Sequence, residues 1–538
     1  MKKMYFAKFY AILLLAILVA ACSSKKSDIA YYIPNNAGLV ININMGKMHE
    51  KGKLAEFDKT KMYTQGISLL AMADVKIQKL VTDIMKNTEE LGLDLKGEAY
   101  MYMNDSYFGM IVPMKNKEKY VSFVKKQADA FGSKEEPHKI ENFLGVSKDN
   151  SVFAWNDDVL YFLVGINNQT AQQAEADFKK IVTQKDEESI ISHPKYKEFS
   201  ESKKDISIMI MMDPLLKFTE KMNSEVNQFK GLLSIYAGTS VNYYVEFAND
   251  EIIINSTQEL SPKLKKMFDM NKISKTPISD KLLKLFPANS IAAISMGANA
   301  TEAVKAYQEL LKTMLADAPN TQETAEQLAM FNMIMTQAAP YLNKLDGETL
   351  IALTDFKQSN LNLSEGAMSM YGMPEPPMPM FGIALGISDN TVLDQLVAAY
   401  QLPFKKEGAA YKITISEEFS MYAVNANNVL MFTNDPELAK ATEAGQIANN
   451  LTNSAFKNDL MKGAFGYMNL NLDTYPESAK AYIASDAFLN SLKDKLNGFE
   501  MITASTDLKT MKSTSTIKFK KTGTNAFYSM IQMIEKSI

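Results

Sequence analysis

Apolar and polar residues alternate over short runs such as Ser207-Ile208-Met209-Ile210 and Thr514-Ser515-Thr516-Ile517-Lys518-Phe519, the period of a strand with one covered face. Ile67 to Glu90, Thr301 to Leu315 and Thr321 to Leu345 carry apolar residues at mixed spacings of three and four instead, which predicts helices with one buried side. Asp157-Asp158, Asn249-Asp250 and Asn427-Asn428 punctuate the strands, and both residue types tolerate the left-handed backbone of tight hairpin turns. The elements read in order as strand, long helical region, two strands, helix, three-stranded meander, helix, strand, helix, then a terminal hairpin and short helix. This is the pattern of an α+β fold, a mostly antiparallel sheet with helices packed on one face.

The order occurs twice. Ile33-Pro34-Asn35-Asn36 before the apolar run Leu39 to Asn44 is matched by Phe286-Pro287-Ala288-Asn289 before Ile291 to Met296. Leu95-Lys96-Gly97-Glu98 before Ala99 to Met103 is matched by Leu345-Asp346-Gly347-Glu348 before Thr349 to Leu353, and Phe108-Gly109-Met110 by Phe381-Gly382-Ile383. Val241 to Phe247 and Glu251 to Thr257 correspond to Met501 to Thr506 and Ser513 to Phe519. Two tandem related halves are expected, 30–275 and 276–538, with the junction in the polar, Lys-rich stretch from Met270 to Asp280.

The second half carries an insertion, 357–380, which contains Met368, Met370, Met373, Met378 and Met380 interleaved with Pro374, Pro376, Pro377 and Pro379. Proline keeps such a segment extended and unpaired, so it should project from the sheet. Clustered thioethers are a soft ligand set suited to Cu(I). They read first, however, as plain packing in a chain with 35 Met, and next as an adaptable surface for a partner. No other metal site is expected.

Composition narrows the function classes. The 538 residues are 46 % hydrophobic and 22 % charged, as in globular protein. All 58 basic residues are Lys, so the bidentate guanidinium fork that grips phosphate, carboxylate or guanine is missing. With a net charge of −4, nucleic acid is not an expected partner. The single cysteine, Cys22, rules out a disulfide within the chain.

Cys22 stands where export chemistry would modify it. Lys2, Lys3 and Lys8 precede the apolar run Ala11 to Val19, so 1–21 reads as a signal peptide, too short for a transmembrane helix. Val19-Ala20-Ala21-Cys22 resembles the bacterial lipobox, which implies diacylation of Cys22 and cleavage before it, with 22–29 as a short tether. Ser23 to Asp28 lacks the acidic run that resembles a surface-export signal, so the outer membrane, facing the periplasm, is expected. With the Ile33-Pro34-Asn35-Asn36 opening and the duplication, the chain resembles the Bacteroidota lipoproteins grouped as domain of unknown function 4836. The resemblance implies an envelope lipoprotein of two related halves and supplies no substrate, cofactor or active site. Its usual Pro-Ala-Asp-Ala-like opening is here Pro34-Asn35-Asn36-Ala37.

Catalytic inventories are thin. His49, His138 and His193 have no His or Cys at metal-ligand spacing, and His138 and His193 read as solvated loop positions. No nucleophile elbow, phosphate loop, dinucleotide fingerprint or calcium loop occurs. Glu98 and Glu348 occupy equivalent places in the two halves and read as strand-end residues, and Trp155 as a half-buried hairpin residue. The expected function is therefore a lipid-anchored, non-enzymatic binding or scaffolding module with no cofactor, held to the membrane through acylated Cys22 and meeting an unknown envelope protein or ligand. The alternatives are a periplasmic carrier of lipid or another hydrophobic ligand, which needs an apolar cavity, and a carboxylate-based hydrolase of envelope glycans, which needs two acidic side chains in one cleft.

Overall fold

The computed structural model describes residues 28–65, 68, 82, 88–131, 136–166, 169–222, 234–275, 277–316, 322–357, 378–400, 404–414, 419–485, 490, 493 and 496–537. They form two compact units. One comprises the described residues of 28–222 together with 236–261 and 521–537, the other 234–235 and the described residues of 262–520. Residues 262–275 and 521–537 thus belong to the opposite unit from the one a division at 275/276 gives. Two local contacts account for this. Lys275 N donates to Gly297 O in the second unit, and the Asp250 carboxylate accepts from Thr522 N and Gly523 N in the first.

The first unit is built on ten strands: β1 (Leu39–Asn44), β2 (Glu98–Met103), β3 (Tyr107–Pro113), β4 (His138–Ile140), β5 (Phe143–Lys148), β6 (Ser151–Trp155), β7 (Val159–Gly165), β8 (Ile206–Met211), β9 (Ser240–Ala248) and β10 (Glu251–Glu259). Every pairing is antiparallel, and the lateral order is β10-β9-β8-β1-β2-β3-β7-β6-β5-β4. The meander has four strands instead of the expected three, because His138–Ile140 pairs with Phe143–Gly145 in a run too short to show a period. The Asp157-Asp158 turn is closed by Asn156, whose Oδ1 accepts from the backbone of Asp158 and Val159. Asp250 does take the left-handed conformation, with φ of 57°.

Helices cover both faces of this sheet rather than one. α1 (Met45–Gly52) follows β1. α2 (Lys117–Phe131) lays Tyr120 against Trp155, Leu160 and Val112 on one face. α3 (Ala171–Val182) sets Ala174 and Phe178 against Tyr161 and Phe143 on the other. α3 begins sharply because Thr170 and Gln173 cap each other's backbone. Trp155 is fully buried rather than half-buried.

The second unit has strands β11 (Ala292–Gly297), β12 (Leu345–Lys357), β13 (Met378–Ile387), β14 (Lys405–Glu407), β15 (Ala410–Thr414), β16 (Ser420–Ala426), β17 (Val429–Thr433), β18 (Ala464–Asn469), β19 (Phe499–Asp507) and β20 (Lys512–Phe519). Their lateral order is β20-β19-β18-β11-β12-β13-β17-β16-β15-β14, again wholly antiparallel. Strand for strand, this is the order of the first unit. Between β11 and β12 stand two helices, α4 (Ala300–Ala316) and α5 (Gln322–Leu342). The helix predicted over Thr321 to Leu345 therefore ends at Leu342, and Leu345 opens β12. Of Ile67 to Glu90, only 68, 82 and 88–90 are among the described residues.

One face of the second sheet is sealed by α7 (Pro436–Ala444), whose Leu438 and Ala439 join Phe286, Leu350, Ala384 and Met431 in the core. α7 starts with Asp435 as cap and Pro436 in the first turn, and ends on Gly445 at φ of 83°. On the other face α6 (Val392–Tyr400) covers β13, β16 and β17 through Val392 and Leu393.

Candidate functional site

The residues singled out by sequence do not assemble into one site. Cys22 lies outside the described residues, as do Met368, Met370 and Met373. Met378 and Met380 belong to β13, where they pair with Lys357 and Asp355 beyond a register shift at Leu353/Asp355. The end of the insertion is therefore strand rather than projecting loop, and Met380 is buried, which takes its sulfur away from any open ligand set.

His138 is exposed, as expected, but it is a strand residue rather than a loop position. Its Nε2 lies 3.0 Å from Glu175 Oε2, which also accepts from Ser147 Oγ at 2.6 Å. The carboxylate stands between histidine and serine, so the imidazole does not reach the hydroxyl and the trio lacks the Ser–His–carboxylate order of a triad. Burial would raise the Glu175 carboxyl, but hydrogen bonds from Ser147, Lys179 and His138 outweigh it and hold the pKa low. His193 is half-buried, and burial followed by the charge of Lys195 depresses its pKa. Among the described residues no three His, Cys, Asp or Glu side chains could hold a metal ion.

Glu98 and Glu348 sit where the duplicated pattern puts them. Glu98 accepts from Asn42 Nδ2 at 3.1 Å and from the Tyr100 hydroxyl at 3.2 Å. Glu348 accepts from the Ser279 hydroxyl and lies 3.6 Å from Lys275 Nζ, while neighbouring Asp346 is tied to Lys281. Each of these second-unit carboxylates already has an ammonium partner.

The feature that stands apart is an apolar strip on the second sheet. Ile294 lies directly opposite Ile351, Met468 lies opposite Ala292, and Met296 follows Ile294 by one pleat. Cross-strand partners and alternate residues of one strand share a face. These four large side chains therefore form one patch across β18, β11 and β12, at 39–56 % exposure. It is the part of that face which α6 leaves open. A hydrophobic surface gathered in register is an interaction site far more often than a scatter of single exposed residues is.

The corresponding places in the first unit have the same character and a different environment. Ile41 opposes Met101, Ile210 opposes Leu39, and Ile43 is one pleat from Ile41. All four are half-buried, and Ile43 and Met101 pack on the cluster of Met45, Leu91 and Trp155. Sequence reasoning missed the strip because Ile291 to Met296 is apolar on both sides of the strand, the pattern of a fully covered one.

Beside the strip, where β11 ends and β12 begins, is a polar cleft of about 330 Å³ lined by Lys272, Ser274, Lys275, Asn299, Asn343 and Asp346, among others. Asn299 Oδ1 accepts from Glu302 N and Asn343 Oδ1 from the Thr301 hydroxyl. Both ammonium groups at the cleft have carboxylate partners, Lys272 at 3.3 Å from Asp269 and Lys275 at 3.6 Å from Glu348.

Residues 30–527 match the family described as Domain of unknown function (DUF4836). The chain belongs to this family. No curated protein matches this DUF4836 chain. Two crystal forms of TP0453 are similar to it at 9 % and 7 % identity, over 45 % and 44 % of this chain and 85 % and 80 % of that one. Their TM-scores are 0.25 and 0.24, too low to carry an argument. Among the described residues no helix is long and apolar enough to cross a membrane.

Proposed function

We propose that this DUF4836 protein is a lipid-anchored, non-enzymatic binding module of the cell envelope, duplicated in sequence, whose second unit holds an apolar partner on its open sheet face. The strip of Ile294, Met296, Ile351 and Met468 carries this reading. Its four positions are apolar in both units, and they are half-buried in the first and 39–56 % exposed in the second. The Val19-Ala20-Ala21-Cys22 run supports an acyl anchor at Cys22, and the shared strand order of the two units supports descent from one repeated gene segment. Two acyl chains would make the attachment stable, since each buried methylene contributes ~0.8 kcal/mol.

Native mass spectrometry of the protein, gently extracted from its own envelope, tests the reading. A stoichiometric bound molecule is expected that disappears in the double variant Ile294→Ser/Met468→Ser and persists in Cys22→Ala. The same bound species in the strip variant would overturn the proposal. Loss of the acyl mass in Cys22→Ala checks the anchor.

A further inference from the structure

Asn497-Gly498 is the sole Asn-Gly pair in the chain. It forms the turn that leads into β19, and Asn497 is exposed there. The turn is seated by its neighbours on either side. Lys520 N, just past β20, donates to Gly498 O at 2.9 Å, and Leu470 N, just past β18, donates to Glu500 O at 2.9 Å. Lys520 also returns to the turn with its side chain. Its Nζ lies 2.9 Å from Asn497 Oδ1 and 2.9 Å from Asp473 Oδ2. An ammonium can only donate, so it is the carboxamide oxygen that faces Lys520.

This arrangement favours a reaction that needs no enzyme. The backbone nitrogen following an asparagine can attack the side-chain carbonyl carbon and close a five-membered ring. Glycine in that place has no Cβ to shield the nitrogen and the widest choice of backbone angles. The attack places negative charge on Oδ1, and a donor already aimed at the oxygen that takes up the charge lowers the barrier. Lys520 Nζ stands on that oxygen, and Asp473 holds it there.

We propose that Asn497 is a site of spontaneous deamidation to aspartate and isoaspartate, promoted by the Lys520 ammonium. Hydroxide takes the proton from Gly498 N as that nitrogen bonds to Asn497 Cγ. The Cγ–Nδ2 bond then breaks, and Nδ2 leaves as ammonia with a proton from water, which regenerates the hydroxide. Water opens the resulting succinimide, giving aspartate by attack at Cγ and isoaspartate by attack at the backbone carbonyl carbon. Isoaspartate puts one more methylene into the main chain between 497 and 498, immediately before the Gly498 and Glu500 carbonyls that seat the start of β19. Comparable dipeptides are held out of this chemistry. In Asp346-Gly347 the electrophile is a carboxylate whose Oδ1 accepts from Glu348 N at 3.0 Å. In Asn453-Ser454 the attacking nitrogen donates to Leu451 O at 3.1 Å.

The test ages the folded full chain, carrying Cys22→Ala for solubility, at neutral pH and physiological temperature. Samples are digested briefly with trypsin, and the peptide Leu496–Lys509, in which Asn497 is the only asparagine, is followed by mass spectrometry. Electron-transfer fragmentation separates aspartate from isoaspartate. Asn497 is expected to convert to both products ahead of Asn453. Lys520→Met should slow the conversion about two- to fivefold, the scale of an exposed charge contact, and Lys520→Arg should keep the parental rate. Gly498→Ala should slow it as well, since direct hydrolysis by water would be indifferent to that change. Thermal melting checks that each variant is folded. Three results would overturn the proposal: Asn497 intact when Asn453 has begun to convert, an equal or faster rate in Lys520→Met, or a lasting loss of ammonia with the peptide joined to Lys520, which would make the lysine the nucleophile.

Discussion

Lys51 Nζ lies 2.7 Å from Asp205 Oδ2, and the Asp205 side chain is only 1 % exposed. The same oxygen accepts from Phe247 N, and the Asp205 carbonyl accepts from Asn44 N, so one residue ties α1, β8, β9 and the end of β1 together. A buried carboxylate deprived of its cation is left with its desolvation cost. Lys51→Met should therefore lower the stability of the first unit by about 3–5 kcal/mol. Lys51→Met/Asp205→Asn should recover more than half of the loss, because the neutral carboxamide oxygen can still accept from Phe247 N. Urea unfolding followed at Trp155, the single Trp, reports this unit specifically. Equal losses in the single and double variants would mean that the pair is not coupled.

Local chemistry made much of this architecture legible. Asn427 and Asn428 both have φ above 50°, as the dipeptide suggested, and Leu39–Asn44 is a strand over the predicted residues. What the chain's pattern could not give was coverage. Ile41 and Ile294 are the same residue type on equivalent strands, and only packing from other segments decides that one is half-buried and the other bare. Nor could it show that Met380 turns inward, since that follows from the pairing of Asp355 with Met380 after a bulge. The ion pair of Lys51 and Asp205 spans 154 residues and leaves no local trace in the sequence.

A buried chain of hydroxyls makes the first unit sensitive to alkali. Tyr102 donates to Tyr161, which donates to the Tyr32 carbonyl at 3.1 Å. Both phenols are fully buried, and that burial drives their pKa values well above 10.0; burial also pushes Tyr107 up to about 12. These groups stay protonated in the fold and ionise in the unfolded chain near 10, so the stability they contribute is complete below that pH. It is lost as pH rises from about 10 toward 12 and beyond. Tyrosinate absorbance at 295 nm should show a slow, unfolding-limited fraction above an immediate one. Tyr161→Phe should cost about 1–3 kcal/mol, because it leaves the Tyr102 hydroxyl buried without its acceptor. Instantaneous ionisation of every tyrosine at pH 11 would contradict this account.

Gly297 marks where the segment around Lys275 is fastened to the second sheet. A Cβ at this position would stand 1.8 Å from the Lys275 carbonyl oxygen and 3.2 Å from Ile278 Cγ2. The obstacle is backbone, which cannot rotate aside as a side chain does. Gly297→Ala must therefore lift the strap and break the Lys275 N to Gly297 O bond of 3.0 Å, with strain on the Ile278 N to Met461 O bond of 2.9 Å beyond it. The expected loss is about 1–3 kcal/mol or more, concentrated at one place. Trypsin should cut rapidly after Lys272 and Lys275 in the variant and slowly in the parent. Gly523→Ala is the control, since that glycine has φ of 69° with nothing within 4 Å and should show only the roughly 1 kcal/mol backbone cost of a left-handed alanine. If both variants leave cleavage at Lys272 and Lys275 unchanged, the strap is not held at Gly297.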